Sequence, residues 1–346
     1  SYTPLRSPTL QPRDASDGVL RTLSGRLQMA QVGVSWWRTD HPRLPSALVT
    51  DNDSSFSIET TTVRLDAFEA EIPSNAGPRI LGYRRVGETS PFADLPFETI
   101  DHPAAGRYHF LGGHRLWRAP EQPAITYEPD DVDVEVTPSA DGFEIAGQPD
   151  RDGIVKHITV TSRDEYTIVD HSLENRGKHT LLSAPWAITQ LAPGGTAYLP
   201  TRSEPLDADA LLPNRSLVLW PYTELTAPEI TFHDEWITVH ASPRRQKLKL
   251  GLANRQGWLA YHFDNSVFVK WSHTHREEAY YVDMGASAQC YRDSRFLELE
   301  TIGSRASLAK RERVTHREVW TIIDLGERHI HEVISGLPVV PDGLVL

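Results

Sequence analysis

Between Val132 and His171 the chain contains four short runs in which apolar and polar side chains alternate: Val132-Asp133-Val134-Glu135-Val136, Phe143-Glu144-Ile145, Ile154-Val155-Lys156-His157-Ile158-Thr159-Val160 and Tyr166-Thr167-Ile168-Val169-Asp170-His171. Turn segments such as Ala140-Asp141-Gly142 and Arg151-Asp152-Gly153 separate them. A period of two puts alternate side chains on opposite faces, which predicts half-buried antiparallel strands. The pattern recurs from Phe56 onward. Thr62 to Ile72 alternates before the turn Asn75-Ala76-Gly77-Pro78, and further strands are expected at Trp236 to His240, Lys247 to Gly251, Trp258 to Phe263, Val267 to Trp271, Phe296 to Ile302 and Val319 to Ile323. No amphipathic helix longer than about three turns interrupts them. No fixed-period repeat is present, which counts against a propeller or solenoid. Short strands spaced evenly over most of the chain predict an all-β fold, a large antiparallel sandwich.

At 346 residues the chain has room for one large β domain or two ordinary ones. Residues 1–50 carry Pro4, Pro8, Pro12, Pro42 and Pro45 with little periodicity outside Leu27 to Trp37. They read as an extension wrapping a single sandwich domain over 51–346, with Trp36 and Trp37 placed either in the core or against a pocket or subunit contact. Nine Trp, 25 Pro and 22 Gly against two Met favour β-structure over a helical bundle. The single cysteine, Cys290, rules out an internal disulfide or a cysteine-based zinc cluster. That suits the cytoplasm or a secreted protein built without disulfides. No apolar run approaches the roughly 20 residues needed to span a bilayer, and no signal peptide is evident, so a soluble protein with no membrane partner is expected. A net charge of -12 without a basic stripe argues against a nucleic-acid partner. Walker, dinucleotide, Gly-x-Ser-x-Gly and His-Glu-x-x-His motifs are all missing, so no cofactor is implied.

Leu111-Gly112-Gly113-His114-Arg115-Leu116-Trp117-Arg118-Ala119-Pro120-Glu121 places ring-stacking and hydrogen-bonding side chains behind two glycines that allow a tight turn. Carbohydrate sites combine such groups: an aromatic face covers the C–H face of the sugar while His, Arg and Glu address its hydroxyls. The same segment also reads as a Gly-Gly turn with an ion-paired Arg and a core Trp. His273-Thr274-His275 puts two imidazoles on one strand face, but with no third ligand in view no metal site is expected. The run Arg244-Arg245-Gln246-Lys247-Leu248-Lys249 reads as a solvated strand edge that discourages edge pairing.

Four segments, taken in order, resemble the aldose 1-epimerase (galactose mutarotase-like) superfamily. They are Gly77-Pro78-Arg79-Ile80; Gly112-Gly113-His114-Arg115-Leu116-Trp117; Ala184-Pro185-Trp186-Ala187-Ile188-Thr189-Gln190-Leu191 followed by Pro193-Gly194-Gly195; and Phe296-Leu297-Glu298-Leu299-Glu300-Thr301 with His316-Arg317-Glu318-Val319-Trp320 behind it. The resemblance covers about residues 56–325. It implies a β-supersandwich with a sugar cleft on one concave face, and mutarotation, in which a base deprotonates the anomeric hydroxyl while an acid protonates the ring oxygen.

By that resemblance Glu300 stands at the family's base position, and strand alternation puts Glu298 on the same face, where each carboxylate raises the pKa of the other. The family's acid is missing: Trp186 stands where true galactose mutarotases carry a histidine, and Leu111 replaces the histidine before the glycine pair. Tryptophan cannot act as a general acid. His114 is the first substitute and His171 the second, though each also fits a hydrogen-bonded structural histidine. Arg115, Trp117, Trp186, Glu298 and Glu121 complete the expected binding set for a small carbohydrate, and this assignment requires Glu300 and His114 to open onto one face. Two other readings stay open: a carbohydrate-binding protein without catalysis, and a glycoside hydrolase or lyase on the same sandwich.

Overall fold

The alternating runs pair into two large antiparallel sheets. In the computed structural model, which describes residues 57–244, 246–273, 280–341 and 343–344, the larger sheet runs edge to edge through Ile230–Phe232, Trp236–His240, Thr196–Pro200, Trp258–Phe263, Ser266–Ser272, Arg313–Asp324, Tyr166–Asn175, Ile154–Arg163, Gly142–Ala146 and Glu135–Pro138. The second sheet runs through Val218–Leu219, Leu248–Leu252, Ala288–Arg292, Leu297–Ile302, Leu181–Leu191, His114–Ala119 and Arg79–Ile80, with Ala306–Leu308 paired to the start of Leu181–Leu191. The extension expected over residues 1–50 lies outside the described residues, as does His275. No helix among the described residues is long and apolar enough to cross a membrane.

The main core fills the space between the sheets. Leu116, Leu191, Leu250, Cys290 and Leu299 from the second sheet meet Ile158, Val169, Leu199, Phe268 and Trp320 from the larger one. This inward set follows from the two-residue period, so the intervening residues of the second sheet must point outward. Outward they meet a second apolar cluster, in which Leu95, Tyr108 and Phe110 of the hairpin Asp94–His102/Gly106–Gly112 pack with Trp117, Trp186, Ile188 and Ile302. A third cluster covers the outer face of the larger sheet, where Val333 and Ile334 of the helix Ile330–Ser335 seat on Trp258, Val269 and Trp271.

Two glycines join the hairpin to the second sheet. Gly112 and Gly113 have φ of +82° and +68°, and a Cβ on them would stand 1.8 Å from the Ala93 carbonyl oxygen and 2.3 Å from that of Ile80. Any side chain there would force the hairpin off the sheet.

Three boundaries differ from expectation. Thr62 to Ile72 is not one strand: the chain reverses at Asp66-Ala67, where Asp66 adopts φ 47°, and Thr60–Leu65 pairs with Phe68–Pro73. The run at Val132 to Val136 starts late, at Glu135, because the Val134 N–H donates to the Ser74 carbonyl instead. Of the basic run, Arg244, Gln246 and Lys247 are exposed as expected, but Leu248–Leu252 is flanked on both sides and Lys249 is buried.

Candidate functional site

Register in the second sheet sorts the expected residues by face. Ile188 lies opposite both Glu300 and Arg115, Trp186 opposite Trp117, and Gln190 opposite Glu298. Residues directly opposite one another share a face, so all of these point outward. Thr189, one residue along, lies opposite both His114 and Leu299 and points into the sandwich.

Outside, the charges interlock. Glu300 is wholly buried, and its Oε2 accepts from the Trp186 indole N–H at 2.7 Å and from Lys249 Nζ at 2.9 Å. Its Oε1 is buried and accepts no hydrogen bond from any described residue. Gln289 stands opposite Glu300 on the next strand, and its side-chain oxygen is orphaned in the same way. Glu298 Oε1 accepts from Arg115 Nη2 at 3.0 Å and Gln190 Nε2 at 2.9 Å. Burial, with the Glu300 charge second, pushes the Glu298 carboxyl up to about 7 against the pull of Arg115, Lys249 and the Gln190 amide.

Aromatic rings wall these charges. Lys249 Nζ sits 4.8 Å from the Trp186 ring centroid and 4.9 Å from that of Trp220, and the Arg115 guanidinium lies 4.4 Å from the Trp117 centroid. Trp117 and Trp186 meet edge to face at 5.4 Å. Both are buried, with a cation over each ring, so the accessible aromatic at the rim is Tyr222, 43% exposed. Burial pushes the Tyr222 hydroxyl up, with the charges of Glu300, Glu121 and Glu298 adding to it. Glu121 is exposed and accepts from the Tyr127 hydroxyl at 2.8 Å. The structure therefore gathers Glu300, Glu298, Arg115, Trp117 and Trp186 on one face, with Glu121 at its margin.

His114 and His171 are not among them. The expectation that either supplies an acid opposite Glu300 is corrected by the register: both side chains lie behind the sheet, fully buried in the sandwich. There they form a closed chain. Lys270 Nζ donates to Thr189 Oγ1 at 3.2 Å, the Thr189 hydroxyl meets His114 Nδ1 at 2.9 Å, His114 Nε2 faces His171 Nε2 at 2.6 Å, and His171 Nδ1 donates to the His316 carbonyl at 3.1 Å. Lys270 also pairs with Glu318 at 2.8 Å, whose other oxygen accepts from the Trp320 indole at 2.8 Å. Thr301 bridges Glu318 and His316. Burial lowers the pKa of His114, His171 and His316. Burial opposes charge on Glu318 as well, but Lys270 and the histidines hold it well below the usual carboxylate range. His114, His171 and Glu318 bring ligand-type atoms within 4.8 Å of one another. Each of those atoms already has a partner, and the Lys270 ammonium occupies the place of positive charge.

Lys249, Gln289 and Tyr222 were outside the expected site. For Lys249 a signal existed: Leu248 and Leu250 flank it and claim the core, which turns the lysine to the face of Glu300.

The chain matches no family model. It matches no curated protein sequence. Among solved structures it is similar to a TPR-domain containing protein from Parabacteroides distasonis, at 12% identity and a TM-score of 0.54, covering 83% of this chain and 50% of that one. It is also similar to a galactose mutarotase-like protein from Lactobacillus casei, at 10% identity and a TM-score of 0.45 over 77% of this chain and all of the other. A galactose mutarotase related enzyme from Lactobacillus acidophilus aligns at 9% identity and a TM-score of 0.44, over 77% and 98%. In fold, the chain resembles the galactose mutarotase-like proteins. The likeness is one of architecture alone.

Proposed function

We propose that the outward face of the second sheet binds a small sugar and catalyses acid/base chemistry at its anomeric carbon, with Glu300 as the base. The observation that carries this reading is the pair of orphaned acceptors, Glu300 Oε1 and Gln289 Oε1, on adjacent strands of an aromatic-walled face. A buried acceptor without a donor costs about 1–3 kcal/mol. Two of them side by side call for a hydroxyl-bearing ligand. The Lys249 and Trp186 contacts fix Glu300 through Oε2 and leave Oε1 for the anomeric hydroxyl. No cofactor enters the scheme.

A glycosidase reading fits less well. Its two carboxyls flank the scissile bond, whereas Glu298 and Glu300 are neighbours on a single strand. A binding protein without catalysis is favoured by one observation, the burial of Glu300 behind Trp186. Polarimetry on freshly dissolved glucose and galactose, paired with tryptophan fluorescence titration, separates the two. Accelerated mutarotation supports the enzyme; saturable binding at the spontaneous rate leaves only the binding protein. Silence in both assays removes the sugar site.

A further inference from the structure

We propose that Glu298, rather than a histidine, is the general acid that protonates the sugar ring oxygen at this site. The inference rests on the anomeric chemistry proposed above. The histidines that the sandwich gathers, His114, His171 and His316, lie on the far side of the sheet from Glu300. Glu298 lies on the near side, two residues along the same strand, roughly 7 Å away at the backbone. O1 and O5 of a pyranose are both bonded to C1, so acid and base can act from one strand and need not face each other across the ring.

The geometry of Glu298 suits a donor. Both Arg115 and Gln190 reach Oε1, which leaves Oε2 for the proton. Its side chain keeps 11% exposure where that of Glu300 has none, so Glu298 stands nearer the solvent. The groups facing it are Arg115, Lys249, Glu300, Tyr127, Tyr222 and Tyr291, with Glu121 beyond the tyrosines. Against the cations stand burial and the Glu300 charge, and the balance puts the carboxyl near neutrality, where a general acid works best.

In the step, Glu300 Oε1 takes the proton of the O1 hydroxyl as the C1–O5 bond breaks, and Glu298 Oε2 gives its proton to O5. The product is the open-chain aldehyde, with Glu300 neutral and Glu298 charged beside Arg115. Rotation about C1–C2 and the reverse transfers close the other anomer and restore both protons.

The test compares wild type, Glu298→Gln and Glu300→Gln by polarimetry on glucose and galactose, with sugar binding followed by fluorescence. Titration of carboxyl-labelled glutamates by carbon NMR supplies a readout that needs no sugar. Glu298→Gln should lower kcat about 10²–10⁴-fold, the usual yield of a positioned acid, with KM little changed. It should also abolish the fall in kcat/KM as pH rises through about 7. In the wild-type spectrum one carboxyl should titrate near neutrality and shift down in Glu300→Gln. If Glu298→Gln keeps the wild-type kcat and pH profile while Glu300→Gln is dead, Glu298 is not the acid and the base assignment stands. Glu298 is equally excluded as the acid if it titrates with ordinary carboxylates. If wild type leaves mutarotation at the spontaneous rate, both assignments fall together.

Discussion

Thr189 and Gln190 are adjacent in sequence, as are His114 and Arg115, yet each pair divides between two polar clusters on opposite faces of one sheet. The inner cluster holds Lys270, Glu318 and three histidines and is closed: both ring nitrogens of His114 and His171, His316 Nε2, both Glu318 oxygens and the Lys270 ammonium have partners. The outer cluster holds Lys249, Arg115, Glu298 and Glu300 and is incomplete, with Glu300 Oε1, Gln289 Oε1 and Arg115 Nε left over. Both clusters pair a buried lysine with a buried glutamate, so the presence of an ion pair does not distinguish them. Hydrogen-bond completeness does, because a closed buried network stabilises one conformation while an open one invites a ligand.

The largest expected effect breaks the inner cluster. Glu318→Ala strands the Lys270 charge inside the sandwich and should cost about 3–5 kcal/mol, read as a lower urea midpoint. Unchanged stability would mean that the inner cluster is not structural. Glu300→Gln is the outer counterpart: mutarotation per folded molecule should drop about 10²–10⁴-fold with sugar binding little changed, while the urea midpoint falls less than in Glu318→Ala because the amide still accepts from Lys249. Swapped outcomes for these two variants would invert the comparison.

A smaller effect sharpens it. His114→Gln disturbs the contacts to Thr189 and His171, and a loss of about 1–3 kcal/mol in stability is expected, with the mutarotation rate per folded molecule unchanged. A rate loss at full stability would return His114 to the active site. The last is a pH effect. Because the folded state raises the Glu298 pKa to about 7, the folded protein holds that proton longer than the unfolded chain, and this contribution to stability is present at low pH and lost as pH rises from about 4.5 to about 7. Urea midpoints of wild type should therefore fall across that window relative to Glu298→Gln. Parallel profiles would show that Glu298 ionises normally.

The grouping of Glu298 with Glu300, and of Arg115 with Trp117, was legible because a strand needs only parity to assign faces. The same parity separates His114 from Arg115, but the preceding glycines made His114 look like a loop residue, free to point anywhere. In fact the strand begins at His114 itself. The parity of Lys249 was legible between Leu248 and Leu250, but its partner lies 51 residues away, and only the pairing of Ala288–Arg292 with strands on either side brings the two together. The inner network was out of reach for the same reason: His114 meets His171 across 57 residues. The hairpin at Asp66 had a signal in the sequence, since the apolar positions change from odd (Val63, Leu65, Ala67) to even (Phe68, Ala70, Ile72) at the turn.

The alternation along Leu297–Ile302 also sets how such a chain can change over time. Its odd positions, Leu297, Leu299 and Thr301, serve the interior, and its even positions, Glu298, Glu300 and Ile302, serve the outer face. The strand thus carries two interleaved messages read in step, and inserting or deleting one residue would exchange them, placing carboxylates in the core and leucines on the outer face. Changes by two residues preserve the reading frame. Length variation among descendants of this chain is therefore confined to its loops, or to even steps within its strands.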